Sequence, residues 1–176
     1  YQYTVLPQGV KVATDIFQER MGALFLDMAV VVVYMDDIIV FGYADFDAHY
    51  LDIEEVLCRL KEAGFQVNPD KCVWFAPSVN YLGFTITREG IRPQTTKVQG
   101  ILNMAPPENQ KDVRRFVGMV NFYRDLYPRR ADTLTPLTDL CGKNRKFSWT
   151  SMHETAFNIM KEIMARDAML TYPKFD

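Results

Sequence analysis

No stretch of this sequence stays apolar long enough to cross a membrane. The longest apolar run, Met28 to Met35, is eight residues and is bounded by Asp27 and Asp36, whereas a helical span takes about 20. Cysteine is scarce. Cys58, Cys72 and Cys141 are odd in number and form no C-x-x-C pair, which gives no disulfide framework and fits a reducing, intracellular setting. Histidine is scarcer still. His49 and His153 are too few and too far apart for a zinc site, so each is expected at the surface or at a helix end. There is no internal repeat, no low-complexity tract and no low-apolar segment of the kind that stays disordered. Residue 1 is Tyr rather than Met and no signal-peptide pattern follows it, so the sequence reads as a piece of something longer.

What is present is a 176-residue chain that is 48% hydrophobic, enough for one sizeable core or two small lobes. The net charge is only −2, but it is unevenly distributed. Residues 1–87 carry five basic against 12 acidic groups, a net of −7. Residues 88–146 carry 12 basic against six acidic groups, a net of +6. An acidic lobe followed by a basic one suits metal and polyphosphate chemistry beside a nucleic-acid grip; chance imbalance on solvated faces is the plainer alternative.

Hydrophobic spacing predicts the elements. Tyr3 to Leu6 reads as extended, with Pro7 and Gly9 breaking it. Residues 11–26 carry a helical stripe of Ile16, Phe17, Met21, Leu24 and Phe25. Ala29 to Val33 is β-branched and too short for a helix, Ile38 to Phe41 is a second apolar strand, and only the Asp36-Asp37 region separates them, as in a hairpin with an acidic tip. A helix capped by Asp45 or Asp47 follows, with Leu51, Ile53, Val56, Leu57 and Leu60 as its stripe and Gly64 as its stop. Strands are expected at Phe65 to Val67, Val73 to Phe75 and Tyr81 to Ile86, the last turning at Arg88-Glu89-Gly90. After Pro93 the pattern turns helical, around Val98 to Leu102, Val113 to Tyr123 (capped by Asn109), Leu134 to Leu140, and Phe157 to Met164. The order predicts an α+β fold, an antiparallel sheet with packed helices and then a helical, basic lobe, with a boundary near residue 92.

The acidic turn is the sharpest chemical signal. Two carboxylates at the end of a buried hairpin would repel each other and be poorly solvated, and an ordinary turn would place Asn-Gly or Asp-Gly there. A bound Mg²⁺ would resolve the conflict, since carboxylates are its natural protein ligands. Alternation along a strand favours one Asp over the other, and Asp36 is the expected primary ligand. The competing reading is an exposed acidic turn whose carboxylates are simply hydrated.

In its context, Tyr34-Met35-Asp36-Asp37 resembles the Y-x-D-D catalytic turn of reverse transcriptases. Upstream, Val5-Leu6-Pro7-Gln8-Gly9, Ile16-Phe17-Gln18 and Met21 are similar to the L-P-Q-G and F-Q-x-x-M motifs of retroviral and retrotransposon enzymes. Downstream, Asn68-Pro69-Asp70-Lys71-Cys72 and Tyr81-Leu82-Gly83-Phe84 resemble the next two palm motifs. Then Gly90-Ile91, Pro93, Lys97-Val98, Pro107, Val113-Arg114, Phe116-Val117-Gly118, Asn121-Phe122-Tyr123-Arg124, Pro136-Leu137-Thr138 and Phe147-Ser148-Trp149 follow in the order of the thumb and RNase H lead-in of gypsy-type LTR-retrotransposon polyproteins.

The resemblance implies a partial right-hand polymerase palm over 1–92, a thumb over 93–146 and a lead-in to an RNase H-like domain over 147–176. It implies RNA-directed DNA synthesis from dNTPs on a primed RNA or DNA template, with two Mg²⁺ ions (or Mn²⁺) at Asp36 and Asp37. Gln8 and Gly9 would approach template and incoming nucleotide, Tyr34 and Met35 the primer end and new base pair, and Lys71 the triphosphate. Leu82 and Gly83 would form the primer grip. Lys111, Arg114, Arg115 and Arg124, with Arg129 and Arg130, would contact phosphates. Packing or plain surface exposure is the alternative for each of these groups. The family departs here in having Val12-Ala13-Thr14-Asp15 where small residues and a proline often precede F-Q, and Cys72 where some relatives have lysine. The resemblance further implies a cytoplasmic or virus-like-particle setting, RNase H and integrase regions following in the parent polyprotein, and a third catalytic carboxylate on a strand ahead of Leu6, so that this chain alone is expected to be inactive. Two other readings stand beside it: a degenerate retroelement-derived module that grips nucleic acid without chemistry, and a structural subunit of a retroviral-type heterodimer.

Overall fold

The computed structural model describes residues 7, 9–43, 45–127, 130–142, 145–166 and 170–171; the predicted extended start at Tyr3 to Leu6 lies outside them, as do Gln8 and Arg129. The chain forms two compact units, Tyr1–Cys72 and Val73–Asp176. No helix among the described residues is long and apolar enough to cross a membrane.

In the first unit the helix α1, Ala13–Leu24, leads into a hairpin of β1, Val31–Tyr34, and β2, Asp37–Val40, followed by the helix α2, Phe46–Glu62. Val31 pairs with Val40 and Val33 with Ile38. Because strand side chains alternate, these four share one face, and that face packs against Met21, Phe25, Val56 and Leu60 in the core. Phe17 meets Phe65 edge-on, with ring centroids 5.9 Å apart. The Asp45 side chain caps α2 by accepting from the Ala48 N–H at 2.9 Å. Its other end closes in a Schellman motif: Gly64 takes φ +82°, its N–H reaches the Lys61 carbonyl, and the Phe65 N–H reaches that of Leu60.

Three members of the expected stripes, Leu51, Leu57 and Ile16, are exposed rather than turned to this core. Leu51 is 61% exposed, since five residues before Val56 places it about 140° round the helix, and Ile16 is likewise exposed on α1. Arg59 ties the two helices together. Its guanidinium makes a two-pronged pair with Asp27, reaches the Leu24 carbonyl at 2.9 Å, and bonds Glu55 at 2.6 Å. The Arg59 hydrogen bonds hold the Asp27 carboxyl at about 2, below its ordinary value.

The second unit holds an antiparallel sheet in the order β3–β4–β5–β6, with β3 Ser78–Tyr81, β4 Phe84–Thr87, β5 Gly90–Pro93 and β6 Leu170–Thr171. Its helices are α3 Thr95–Leu102, α4 Gln110–Phe122, α5 Arg130–Asp139 and α6 Ser151–Ala165. Their core is built on Val113, Phe116, Leu137, Phe157 and Met160, with the Phe116 and Phe157 rings 4.6 Å apart. His153 is the helix-end histidine expected, but buried: its Nδ1 accepts from the Thr150 N–H at 3.0 Å in a capping box.

Three expectations differ from the structure here. The single strand from Tyr81 to Ile86 is two strands, because Leu82 and Gly83 form the tight turn between β3 and β4. Phe65 to Val67 and Val73 to Phe75 are not strands; Asn68 caps a 3₁₀ turn at Pro69–Lys71, and Phe75 sits at φ +50°. Near residue 92 strands give way to helices, β5 ending at Pro93 and α3 starting at Thr95. Phe84 on β4 stacks on Phe122 at the end of α4, 5.4 Å between centroids, so β3–β5 belong to the same compact unit as the helices.

Candidate catalytic turn and nucleic-acid face

The loop of the first hairpin is Met35 and Asp36, not Asp36 and Asp37. Asp37 already belongs to β2, where it pairs with Tyr34. Both carboxylates are exposed, which corrects the expectation of a buried acidic tip. Val31, Val33, Ile38 and Val40 face the helices, and Tyr34 and Asp37 lie together on the other face, where Ile39 is buried but both carboxylates are not. Both carboxylates are therefore open to water, and what marks them is that they are adjacent and held at a defined place.

What holds them there was not visible in the sequence pattern. Met35 takes φ +54°, a left-handed conformation that costs a non-glycine residue roughly 1–2 kcal/mol. The Gln18 side chain on α1 offsets this strain from outside the strand pair. Its Oε1 accepts from the Met35 N–H and its Nε2 donates to the Val33 carbonyl at 3.2 Å. The glutamine of the F-Q motif is thus a clamp on the turn. Its local signal in the sequence is a long amide side chain one helical turn before Met21.

The donor set fits a divalent cation in part. Oxygen ligands are what Mg²⁺ takes, but no group of three or more His, Cys, Asp or Glu comes together among the described residues. Asp36 and Asp37 could supply two ligands of a cage completed elsewhere. Lys71 is exposed at the end of the capped 3₁₀ turn, and Gly9 is exposed with φ +85°; Gln8 lies outside the described residues.

In the second unit the Leu82–Gly83 turn has positive φ at both residues, 48° and 84°, the signature of a type I′ hairpin turn. Gly83 has a packing reason, since a Cβ there would lie 3.1 Å from Phe122 Cε1. Leu82 has none of glycine's freedom, yet it is 40% exposed at the tip. Beside the turn lies a shallow cavity of about 370 Å³ lined by Leu82, Gly83, Lys97, Ile101, Met119, Phe122 and Tyr123.

The helix α4 carries the basic face. At 100° per residue, Lys111, Arg115, Gly118 and Phe122 fall within a narrow exposed stripe, and Phe122 is 55% exposed. Lys111 and Arg115 have no ion-pair partner among the described residues. Arg114 is engaged within the fold instead, donating to the Cys141 carbonyl at 3.0 Å and to Gln110 at 3.3 Å. Arg124 lies 3.7 Å from Asp125, and Arg130 bonds Asn121 and the Arg124 carbonyl. Gly118 lies on the same stripe. In mid-helix it costs about 0.5–1 kcal/mol relative to Ala, and a Cβ there would meet nothing within 4 Å, so no contact among the described residues explains it.

Comparison with known proteins agrees with these motifs. The reverse transcriptase (RNA-dependent DNA polymerase) family matches residues 1–86. The Retrovirus-related Pol polyprotein from transposon 412 of Drosophila melanogaster is 35% identical over 99% of this chain and 14% of its own length. That from transposon opus, also of Drosophila melanogaster, is 36% identical over 99% of this chain and 19% of its own length. Among solved structures, the foamy viral protease-reverse transcriptase in complex with RNA/DNA hybrid is 27% identical, covers 96% of this chain and 23% of its own, and superposes with a TM-score of 0.85. The same protein's dRH form with double-stranded DNA is 27% identical, covers 96% of this chain and 30% of its own, and gives 0.88. The chain belongs to the reverse transcriptase family, and the fold is that family's palm and thumb. It spans less than a fifth of the length of these curated relatives.

Replacing Gln18 with Leu keeps the bulk and removes both bonds to the turn. Two part-buried hydrogen bonds together should cost about 1–3 kcal/mol. Urea unfolding should show that loss, with faster amide exchange at Met35; a variant as stable as wild type with an unchanged Met35 amide would show that the clamp does not hold the turn.

Proposed function

We propose that this chain is part of an RNA-directed DNA polymerase that extends a primer on an RNA or DNA template with dNTPs. The observation that carries the reading is the Tyr34-Met35-Asp36-Asp37 turn: two adjacent exposed carboxylates, rigidly presented by a clamped hairpin, in a chain of reverse transcriptase family. Divalent ions held there, Mg²⁺ or Mn²⁺, would lower the pKa of the attacking primer hydroxyl and neutralise charge on the leaving pyrophosphate.

The chain's own residues would do the positioning. Asp36, in the loop, and Asp37, at the first position of β2, would offer carboxylate oxygens at the tip. Tyr34, cross-strand from Asp37, presents a flat ring against which a terminal base pair can rest, and Met35 stands beside it. Gly9 lets backbone approach a nucleotide closely, with Gln8 as donor and acceptor, and Lys71 is free to screen triphosphate charge. Leu82 and Gly83 would grip the primer strand by shape. Lys111 and Arg115 would meet phosphates, Arg124 less directly. Arg114 would do so only by leaving its carbonyl partner. Gly118 supports this reading, because a missing side chain on an exposed basic face lets a nucleic-acid strand come close to the helix. The setting would be cytoplasmic or within a virus-like particle, in a polyprotein that also carries RNase H and integrase regions.

Primer extension with Mg²⁺ tests the catalytic part. A polymerase chain extended upstream, bringing fingers and a third carboxylate, should synthesise DNA, and Asp36→Asn in it should lower the rate on the order of 10³-fold or more while the fold persists. The 176 residues alone should not extend a primer. Robust synthesis by the short chain, or by the folded Asp36 variant, would contradict the account; duplex binding without synthesis by the longer chain would favour the degenerate binding module.

The second unit's part is tested by salt. Duplex binding should weaken as salt rises, with a log–log slope of roughly −0.9 per phosphate neutralised, and without sequence preference. Gly118→Ala should stabilise α4 by about 0.5–1 kcal/mol and yet weaken duplex binding. Unchanged or tighter binding by this variant would remove α4 from the interface.

A further inference from the structure

The Leu82–Gly83 turn is held by more than its own strand pair. The Gly83 carbonyl accepts two hydrogen bonds, one from the Tyr123 hydroxyl and one from the Gln94 N–H, each 3.0 Å long. Tyr123 follows the last residue of α4, and Gln94 is the residue preceding α3. The Tyr123 ring packs edge-on against Phe84, 5.4 Å between centroids, and edge-on against Phe122 at 4.9 Å. Tyr123 is buried, and burial raises its hydroxyl above the ordinary tyrosine value, so at neutral pH it stays protonated and can donate. The turn carries a leucine at φ +48°, a conformation that persists only where the surroundings over-determine it.

We propose that Tyr123 is a positioning residue: its hydroxyl latches the Gly83 carbonyl, so that the Leu82–Gly83 tip and the basic face of α4 form one rigid reader of a primed duplex. The inference rests on the proposed polymerase reading and adds to it the residue that fixes the grip. A latch of this kind sets the spacing between the tip, which meets the end of a primer strand, and Lys111 and Arg115, which meet phosphates further along. Without it the tip relaxes about its own strands, while the duplex contacts of α4 remain.

Tyr123→Phe keeps the ring and removes only the hydroxyl, so the fold should survive. In the 176-residue chain, amide exchange at Phe84 and Gln94 should rise by about tenfold, the effect of losing one net hydrogen bond, while Val113 and Val120 in the core of α4 exchange as before. Affinity for a duplex with a recessed 3′ end should fall several-fold, and affinity for a blunt duplex should hold. A general loss of stability would instead raise exchange at all four positions and weaken both duplexes. Wild-type exchange at Phe84 and Gln94 overturns the latch, and so does raised exchange with unchanged recessed-end binding. If the unmodified chain binds neither duplex, the polymerase reading of this unit fails, and the exchange rates alone decide whether Tyr123 holds the turn.

Discussion

The favoured two-residue hairpin loops turn the chain through a left-handed residue, and in the first unit that residue is Met35 at φ +54° rather than the glycine or asparagine such loops prefer. The register of β1 and β2 follows from this turn. A slip by one residue would move every side chain to the opposite face, taking Val31, Val33, Ile38 and Val40 off the core and reversing the placement of Tyr34 and Asp37. The two bonds from Gln18 bind the turn to α1, and α1 is bound to α2 through Met21, Phe25, Val56 and Leu60. The position of the two carboxylates is therefore set by the packing of the whole unit.

The second unit repeats the device with different chemistry. Its tight turn puts Leu82 in the left-handed region, and again a side chain from a neighbouring helix-bearing segment reaches the turn, here Tyr123 on the Gly83 carbonyl. In each case a large apolar side chain stands at a strained tip where a stability-driven sequence would carry Asn-Gly. Strain of this sort is expected where a side chain is presented for use, and the proposed roles of Met35 at a terminal base pair and Leu82 at a primer strand give it a use. The exposed Gly118 on α4 is a third departure from stability in the same direction.

Much of this was legible in the chain. The helix stripe through Met21 and Phe25, the Asp45 and Asn109 caps and the Gly64 stop all rest on local rules of period and capping, and they appear where those rules put them; the valine-run strand forms too, starting at Val31 rather than Ala29. The family was legible because its motifs follow in order over nearly the whole length. What local rules cannot see is long-range. Nothing in the neighbourhood of Gln18 says that it reaches a turn 17 residues on, and nothing near Leu170 says that β6 will join β5. The alternation through Tyr81, Phe84 and Ile86 concealed a turn because Leu82 looks like a strand residue. The basic charge of residues 88–146 was legible, yet charge counting could not separate Arg114, which donates to the Cys141 carbonyl and to Gln110, from Lys111 and Arg115, which have no ion-pair partner among the described residues.

The central claim is that Asp36 and Asp37 form a cation site presented by the clamped turn. Titrating Mn²⁺ into this chain and following paramagnetic broadening residue by residue by NMR tests it most directly. Broadening should centre on the amides of Met35, Asp36 and Asp37 and disappear in Asp36→Asn. Broadening centred instead on the other acidic groups of the first unit, such as Asp52 and Glu55 on α2, or unchanged by the substitution, would contradict it.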